Sequence, residues 1–78
     1  MKNIKNCNYP AAENIKRIIK KENYKQKKIA DLAGYSDQSF SDMLTGRRLI
    51  KIIDLINISK ALNVDVNDLL KQNKKEVG

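Results

Sequence analysis

The sequence predicts an all-α fold in which five short helices form one domain. Apolar residues recur at helical spacing in successive stretches, and residues that favour helix ends or helix starts separate these stretches. No stretch shows the alternation of apolar and polar residues that is typical of a half-buried strand. A chain of 78 residues is long enough for one small domain, and its 41% of hydrophobic residues allow a thin core.

The N-terminal part of the chain divides into an arm and a first amphipathic helix. Residues 1–10 are rich in Asn and Lys and are predicted to be a flexible arm, with Pro10 compatible with a helix start. The apolar positions that follow have the i, i+1, i+4, i+7, i+8 spacing of one helical face: Ala11, Ala12, Ile15, Ile18 and Ile19. Asn23 is expected to end this helix, because asparagine tolerates the left-handed backbone conformation.

Residues 26–45 are predicted to form two short helices joined by a tight turn. The apolar faces of the two helices consist of Ile29, Ala30 and Ala33, then Phe40, Met43 and Leu44. Gly34 can take the positive φ that often ends a helix, and Ser36 is a favoured N-cap for the next one. This is the arrangement of a helix-turn-helix, whose second helix enters the major groove of DNA.

Two further helices are predicted after the motif. The expected buried face of the fourth helix consists of Ile52, Leu55, Ile56, Ser59 and Leu62, with Ile58 at its edge. Asp65 is the expected N-cap of the fifth helix, in which Leu69 and Leu70 are expected to pack against the core. The folded domain is therefore predicted over residues 11–71, and residues 72–78 are predicted to be a disordered tail.

The charge and the cysteine content limit the classes of protein. There are 16 Lys and Arg against 9 Asp and Glu, a formal net charge of +7 that favours a polyanionic partner such as DNA, RNA or an anionic membrane. The single cysteine, Cys7, excludes an internal disulfide and fits a reducing cytoplasm. No apolar run approaches the roughly 18 residues of a spanning helix. We therefore expect a cytoplasmic protein without a membrane partner.

Catalytic and metal sites are not expected. The chain has no His, which removes the commonest general base and metal ligand, and a lone cysteine cannot build a zinc site. Cys7 lies in the predicted arm without a base to activate it, and the glycines are isolated rather than grouped in a phosphate-binding loop. We therefore predict a protein that is not an enzyme and needs no cofactor or metal.

The motif and its flanks resemble the Cro and phage-repressor family, also called the xenobiotic-response-element family. The residues that carry the resemblance are Gln26, Ala30, Gly34, Ser36, Phe40, Met43 and the Gly46-Arg47-Arg48 turn. Residues 58–70, ISKALNVDVNDLL, look like the usual ending of that family. The resemblance extends over residues 14–70 and implies a five-helix, lambda-repressor-like DNA-binding domain.

The resemblance also implies which side chains meet DNA. Those expected to reach base edges are Ser36, Asp37, Gln38, Ser41 and Asp42. The candidates for phosphate contacts are Lys25, Gln26, Lys27, Arg47, Arg48 and Lys51. Gln38 can form two hydrogen bonds with adenine, and Asp37 or Asp42 can accept one from cytosine N4. Asp37 can equally stabilise the helix dipole as a first-turn acid. No Lys or Arg lies between Ser36 and Thr45, so the commonest guanine contact is missing.

Two helix starts depart from the usual capping preference. The cap positions are expected to be Lys25 and Lys51, where Ser, Thr, Asp or Asn would be favoured. Both helix starts are therefore expected to lack a side-chain acceptor. Free amide donors beside lysines make a good phosphate site, so we predict that DNA phosphates cap both helices. Capping by water is the competing interpretation.

The resemblance implies a transcriptional regulator, a repressor, that binds a near-palindromic operator as a homodimer. Ile50, Ile53 and Val66 are the candidates for the dimer interface, although local packing accounts for them equally well. Two other interpretations stay open. One is an antitoxin whose main partner is a toxin protein, and the other is an interaction module that has lost DNA binding or lies on membranes.

Overall fold

Helices make up the regular structure of the chain. The computed structural model describes residues 7–72. Within them the elements are, in order, α1 (Ala11–Lys21), α2 (Gln26–Ala33), α3 (Asp37–Thr45), α4 (Ile52–Leu62) and α5 (Val66–Leu70). The described residues contain no strand, so the predicted all-α class with five helices is confirmed. None of these helices has the length and apolar character needed to span a membrane. Residues 1–6 of the predicted arm and residues 73–78 of the predicted tail lie outside the described part of the chain.

One apolar core holds the helices together. α2 packs on α3 and α4, while α1 packs on α3, α4 and α5. The largest fully buried side chains are Phe40, Ile15, Ile29, Met43, Ile58 and Leu69. Burying a side chain of this size contributes about 1.5–3 kcal/mol relative to leaving it exposed. The apolar faces predicted for α1, α2 and α3 are the faces that the structure turns inward.

The turn between α2 and α3 is fixed by residues at the helix ends. Gly34 ends α2 with a φ of 90°, a conformation that glycine adopts without steric cost. Ser36 Oγ accepts a hydrogen bond from the backbone N–H of Ser39 at 3.1 Å and so caps α3. Earlier in the chain, Asn23 follows α1 with a left-handed φ of 61°. These three predicted helix boundaries are confirmed.

The buried face of α4 differs from the predicted one. Ile52, predicted to be core, is 77% exposed, whereas Ile58, predicted to lie at the edge, is fully buried. The other buried residues of α4 are Asp54, Leu55, Ser59 and Leu62. Isoleucines lie on most sides of the first turns of α4, so helical spacing alone fits several faces, and the packing against α2 selects one of them. In α5 only Leu69 is core, because Leu70 is 44% exposed.

Residues 7–10 belong to the folded domain rather than to a flexible arm. They form a turn that leads directly into α1. The Asn8 side chain is buried, and its Nδ2 donates to the carbonyl oxygens of Met43 at 2.7 Å and Arg48 at 2.8 Å. Its Oδ1 accepts from the backbone N–H of Ile50 at 2.9 Å. The predicted arm is therefore wrong for this part of the chain, because one buried amide fixes it to the loop after α3.

A second buried amide fixes the other end of the domain. Asn14 of α1 is buried, and its Nδ2 donates to the carbonyl oxygens of Leu69 at 2.7 Å and Lys71 at 2.8 Å. Arg17 donates in turn to Asn14 Oδ1. A helix as short as α5 is not stable alone. Its position therefore depends on these bonds and on the burial of Leu69.

Candidate nucleic-acid interface

The outer surface of α3 carries the side chains that were predicted to reach base edges. α3 buries its apolar side against the core. Its outer surface presents Ser36, Asp37, Gln38, Ser41 and Asp42. The first three are exposed, and Ser41 and Asp42 are half-buried. All the predicted base-contact residues therefore lie within two turns of the start of one helix.

A shallow depression lies between the starts of α2 and α3. It is lined by Gln26, Lys27, Asp37, Gln38 and Ser41. The first two were predicted to contact phosphates, and the other three were predicted to contact base edges. The tight turn at Gly34 folds the two helix starts toward each other, so both groups share one surface.

Two side chains of this surface are hydrogen-bonded to each other. Gln38 Nε2 donates to Asp42 Oδ1 at 2.9 Å across one turn of α3. At the end of the helix, Thr45 Oγ1 donates to the carbonyl oxygens of Ser41 at 3.1 Å and Asp42 at 3.3 Å. In its hydrogen bond to Asp42 the Gln38 amide turns its nitrogen toward the carboxylate, an arrangement that the sequence did not predict.

Cations flank α3 on both sides. Lys25 and Lys27 are exposed at the start of α2, and Arg47 and Arg48 are exposed after the end of α3. Lys51 is exposed immediately before α4. Among residues 7–72, the ion pairs join Glu13 to Lys16 at 3.4 Å and Asp68 to Lys71 at 3.2 Å. The cations predicted to contact phosphates therefore form no ion pair within the described chain.

A polar cluster joins the turn of the motif to the start of α4. Tyr35 Oη donates to Asp54 Oδ1 at 2.5 Å, and Asn57 Nδ2 donates to Tyr35 Oη at 3.5 Å. The Arg48 guanidinium lies over the Tyr35 ring, 5.9 Å from its centroid. The cluster holds one of the flanking cations next to α3. Sequence reasoning missed it, because its members are separated along the chain and show no helical spacing.

The ionisation of Asp54 reflects these neighbours. Burial disfavours the charged form, but hydrogen bonds from Tyr35 and from the backbone N–H of Lys51 outweigh it, together with the charges of Arg48 and Lys51. The pKa of Asp54 is therefore lowered. Burial of the Tyr35 hydroxyl and its hydrogen bond to Asp54 raise the pKa of Tyr35. At neutral pH the pair consists of a phenol donor and a carboxylate acceptor.

The two helix starts with lysine at the cap are not equivalent. Lys25 caps α2 without a side-chain hydrogen bond, and the first turn of α2 contains no acid. At α4, in contrast, Asp54 Oδ2 accepts the backbone N–H of Lys51 at 2.9 Å. The expectation that the start of α4 lacks a side-chain acceptor is therefore wrong for the N–H of Lys51 itself, whereas the Lys51 side chain cannot accept a first-turn N–H. An acid three residues after a cap is the sequence signal that identifies such a bond, and Asp54 stands at that position.

The three candidates for the dimer interface differ in exposure. Ile53 is 57% exposed, whereas Ile50 and Val66 are partly buried against the core. Two large apolar side chains close to Ile53 in the chain are also exposed, Leu49 at 57% and Ile52 at 77%. Leu49, Ile52 and Ile53 form what we call the α4 apolar patch.

A family model described as Helix-turn-helix matches residues 15–69, which is more than half of the chain. The chain belongs to this family. The predicted resemblance to Cro-type and phage-repressor-type helix-turn-helix proteins is confirmed. Membership of the helix-turn-helix family supports DNA binding and transcriptional regulation as the general function.

A solved structure has the same fold. The crystal structure of the restriction-modification controller protein C.AhdI from Aeromonas hydrophila matches with a TM-score of 0.72 and 15% sequence identity. The match covers 77% of this chain and 91% of that chain. At this identity the likeness concerns the fold, which it confirms as that of a helix-turn-helix protein. No curated protein sequence matches the chain.

Proposed function

We propose that this protein is a repressor of transcription that binds a near-palindromic operator in double-stranded DNA as a homodimer. The depression between α2 and α3 is the observation that carries the proposal. It combines polar side chains on an exposed helix, Asp37, Gln38 and Ser41, with Gln26 and Lys27 from the preceding helix. Such a helix can offer its outer side chains to base edges while its flanks contact the sugar–phosphate backbone.

The flanking cations support binding to a duplex. Lys25 and Lys27 precede the outer surface of α3, and Arg47, Arg48 and Lys51 follow it. Each phosphate that such a cation neutralises releases condensed counterions, which favours binding at low salt. Occupying an operator that overlaps a promoter excludes other proteins from it. Repression therefore requires only the DNA binding that this surface supports.

The α4 apolar patch supports a second copy of the chain as the dimer partner. A single motif of this size makes a small DNA interface, and two copies related by two-fold symmetry read two half-sites about 34 Å apart. Ile53 is 57% exposed within this patch, while the other two candidates, Ile50 and Val66, are partly buried against the core. The substitution Ile53→Glu is expected to shift the sedimenting species from dimer to monomer while the helical signal is retained.

Leu32→Glu provides a matched control for the dimer, because Leu32 is 60% exposed on α2 and lies outside the patch. It introduces the same charge at a similarly exposed apolar position. Equal sedimentation of the parent, Ile53→Glu and Leu32→Glu proteins would contradict the proposed interface.

Selection from a pool of random duplex DNA tests the proposed function directly. The parent protein is incubated with the pool at low salt, and the retained duplexes are sequenced. We expect enrichment of one sequence as an inverted repeat, bound more tightly than its scrambled version. A pool that is retained without enrichment of any sequence would contradict a role as an operator-binding repressor.

A further inference from the structure

The bond between Gln38 and Asp42 fixes which atoms these side chains offer to a partner. An ionised carboxylate only accepts hydrogen bonds, so the Gln38 amide must turn its nitrogen toward Asp42. One N–H of the amide is occupied by Asp42 Oδ1, which leaves Gln38 Oε1 and the second N–H for a ligand. Asp42 retains Oδ2 as a further acceptor. The pair therefore presents two acceptors and one donor.

The charge of α3 restricts the bases that these acceptors can meet. The helix contains two carboxylates, Asp37 and Asp42, and neither Lys nor Arg. In the major groove, guanine presents the acceptors N7 and O6 and thymine presents O4, so a carboxylate facing either is repelled. Adenine N6 and cytosine N4 are donors and match an acceptor. A helix with this composition therefore binds more tightly where a base presents an amino group to it, and less tightly where a base presents a keto group.

We infer that Gln38 and Asp42 act as one reading unit that selects exocyclic base amines. Gln38 takes adenine, with Oε1 accepting from N6 and the second N–H donating to N7. Asp42 Oδ2 accepts from cytosine N4 or from a second adenine N6. One turn of the α-helix advances about 5.4 Å, and successive bases of one DNA strand are about 3.4 Å apart along the duplex axis. The two amines therefore lie one or two base steps apart. The inference rests on the proposed DNA-binding function.

The first measurement removes the amines from the DNA and leaves the protein unchanged. In the best selected duplex, each adenine is replaced by purine, which lacks the 6-amino group, and each cytosine by pyrimidin-2-one, which lacks the 4-amino group. Losing a hydrogen bond to a charged or oriented acceptor costs about 10- to 100-fold in affinity. We expect such a loss at two positions of each half-site, separated by one or two steps. The result does not depend on the folding of a variant.

The second measurement changes the acceptor. In Asp42→Asn, the Gln38 N–H still binds the side-chain oxygen, so the new amide nitrogen replaces Oδ2 as the atom that faces the groove. A repeated selection is expected to change the preference at one position from an amine-bearing base to guanine or thymine. Asp65→Asn is the matched control, because it removes the same charge at the N-cap of α5, beyond the far end of α4. It should leave the selected sequence unchanged.

The outcomes separate the inference from the function on which it rests. If a specific duplex is selected but every amine can be removed with less than about threefold loss, the reading unit is wrong and the DNA-binding function stands. An unchanged preference of Asp42→Asn also overturns the inference, since a pair that serves only to stabilise the helix leaves base preference unaffected. If no sequence is enriched, both the function and the inference fail.

Discussion

Removing the Asn8 amide should destabilise the domain far more than its position near the chain start would indicate. The side chain is 5% exposed and makes three hydrogen bonds of 2.7, 2.8 and 2.9 Å to backbone groups of Met43, Arg48 and Ile50. Each such bond contributes about 0.5–1.5 kcal/mol net, so Asn8→Ala is expected to lower the free energy of unfolding by about 2–4 kcal/mol. For a domain of this size that is a large part of the roughly 5–15 kcal/mol available.

Urea unfolding followed by far-ultraviolet circular dichroism measures this loss. The midpoint should fall while the slope with denaturant stays constant, because the surface exposed on unfolding changes little. The melting temperature should fall by at least about 8 °C, since each kcal/mol corresponds to about 4–8 °C in small domains. Asn8→Asp should lose at least as much, because a carboxylate cannot donate to the carbonyl oxygens of Met43 and Arg48.

Asn67→Ala is the matched control for Asn8, since Asn67 is exposed on α5. Its free energy of unfolding should stay within about 0.5 kcal/mol of the parent value. A loss below about 1 kcal/mol for Asn8→Ala, equal to that of the control, would refute the reasoning. It would mean that the buried amide does not hold the loop after α3 in solution.

Three further measurements test the electrostatics. The lowered pKa of Asp54 contributes stability above the unfolded pKa of about 3.9 that is lost as the pH falls through the lower folded value. Acid unfolding monitored by circular dichroism should therefore be less steep in Asp54→Asn, and an identical profile would exclude this contribution. Arg47→Ala should weaken binding to all duplexes and reduce the magnitude of the salt slope by about one, whereas Lys60→Ala, at the far end of α4, should leave the slope unchanged. Lys25→Ser should stabilise the free protein by about 0.5–2 kcal/mol and weaken DNA binding. Lys51→Ser should do the same at α4, because the serine hydroxyl would accept an N–H of the first turn, whereas Asp54 accepts only the N–H of residue 51 itself. DNA binding as tight as in the parent, in either variant, would contradict phosphate capping of that helix.

Local sequence rules predicted the helix ends well. The end of a helix depends on the backbone of one residue or on a neighbour a few residues away, so it can be predicted without knowing the tertiary structure. This holds for Gly34, Ser36 and Asn23. The faces of α1, α2 and α3 were also predictable, because each has one apolar side. The turn at Gly34 also explains why one depression is lined by residues of both helices: Gln26, Lys27, Asp37, Gln38 and Ser41.

Long-range side-chain bonds could not be predicted from the same rules. Asn8 bonds to groups 35 to 42 residues away, and Asn14 to groups 55 and 57 residues away. Neither belongs to a local pattern, and a polar N-terminal stretch normally indicates an arm. The buried face of α4 was predicted wrongly for another reason. Isoleucines lie on several sides of α4, so helical spacing alone fits more than one buried face. Only the position of α2 decides that Ile58 is core while Ile52 is exposed.

The hydrogen bond from the Ile50 N–H to Asn8 Oδ1 makes the exchange of one proton a measure of whether residues 7–10 are attached to the loop after α3. That proton can exchange with deuterated solvent only when Asn8 Oδ1 moves away from it. Its exchange rate therefore gives the free energy of detaching residues 7–10, separately from global unfolding. Because Asn8 Nδ2 also donates to the carbonyl oxygen of Arg48, detachment would release the loop that carries Arg47 and Arg48 from this hydrogen bond. Detachment of residues 7–10 is therefore expected to change how tightly DNA is held without any change in α3.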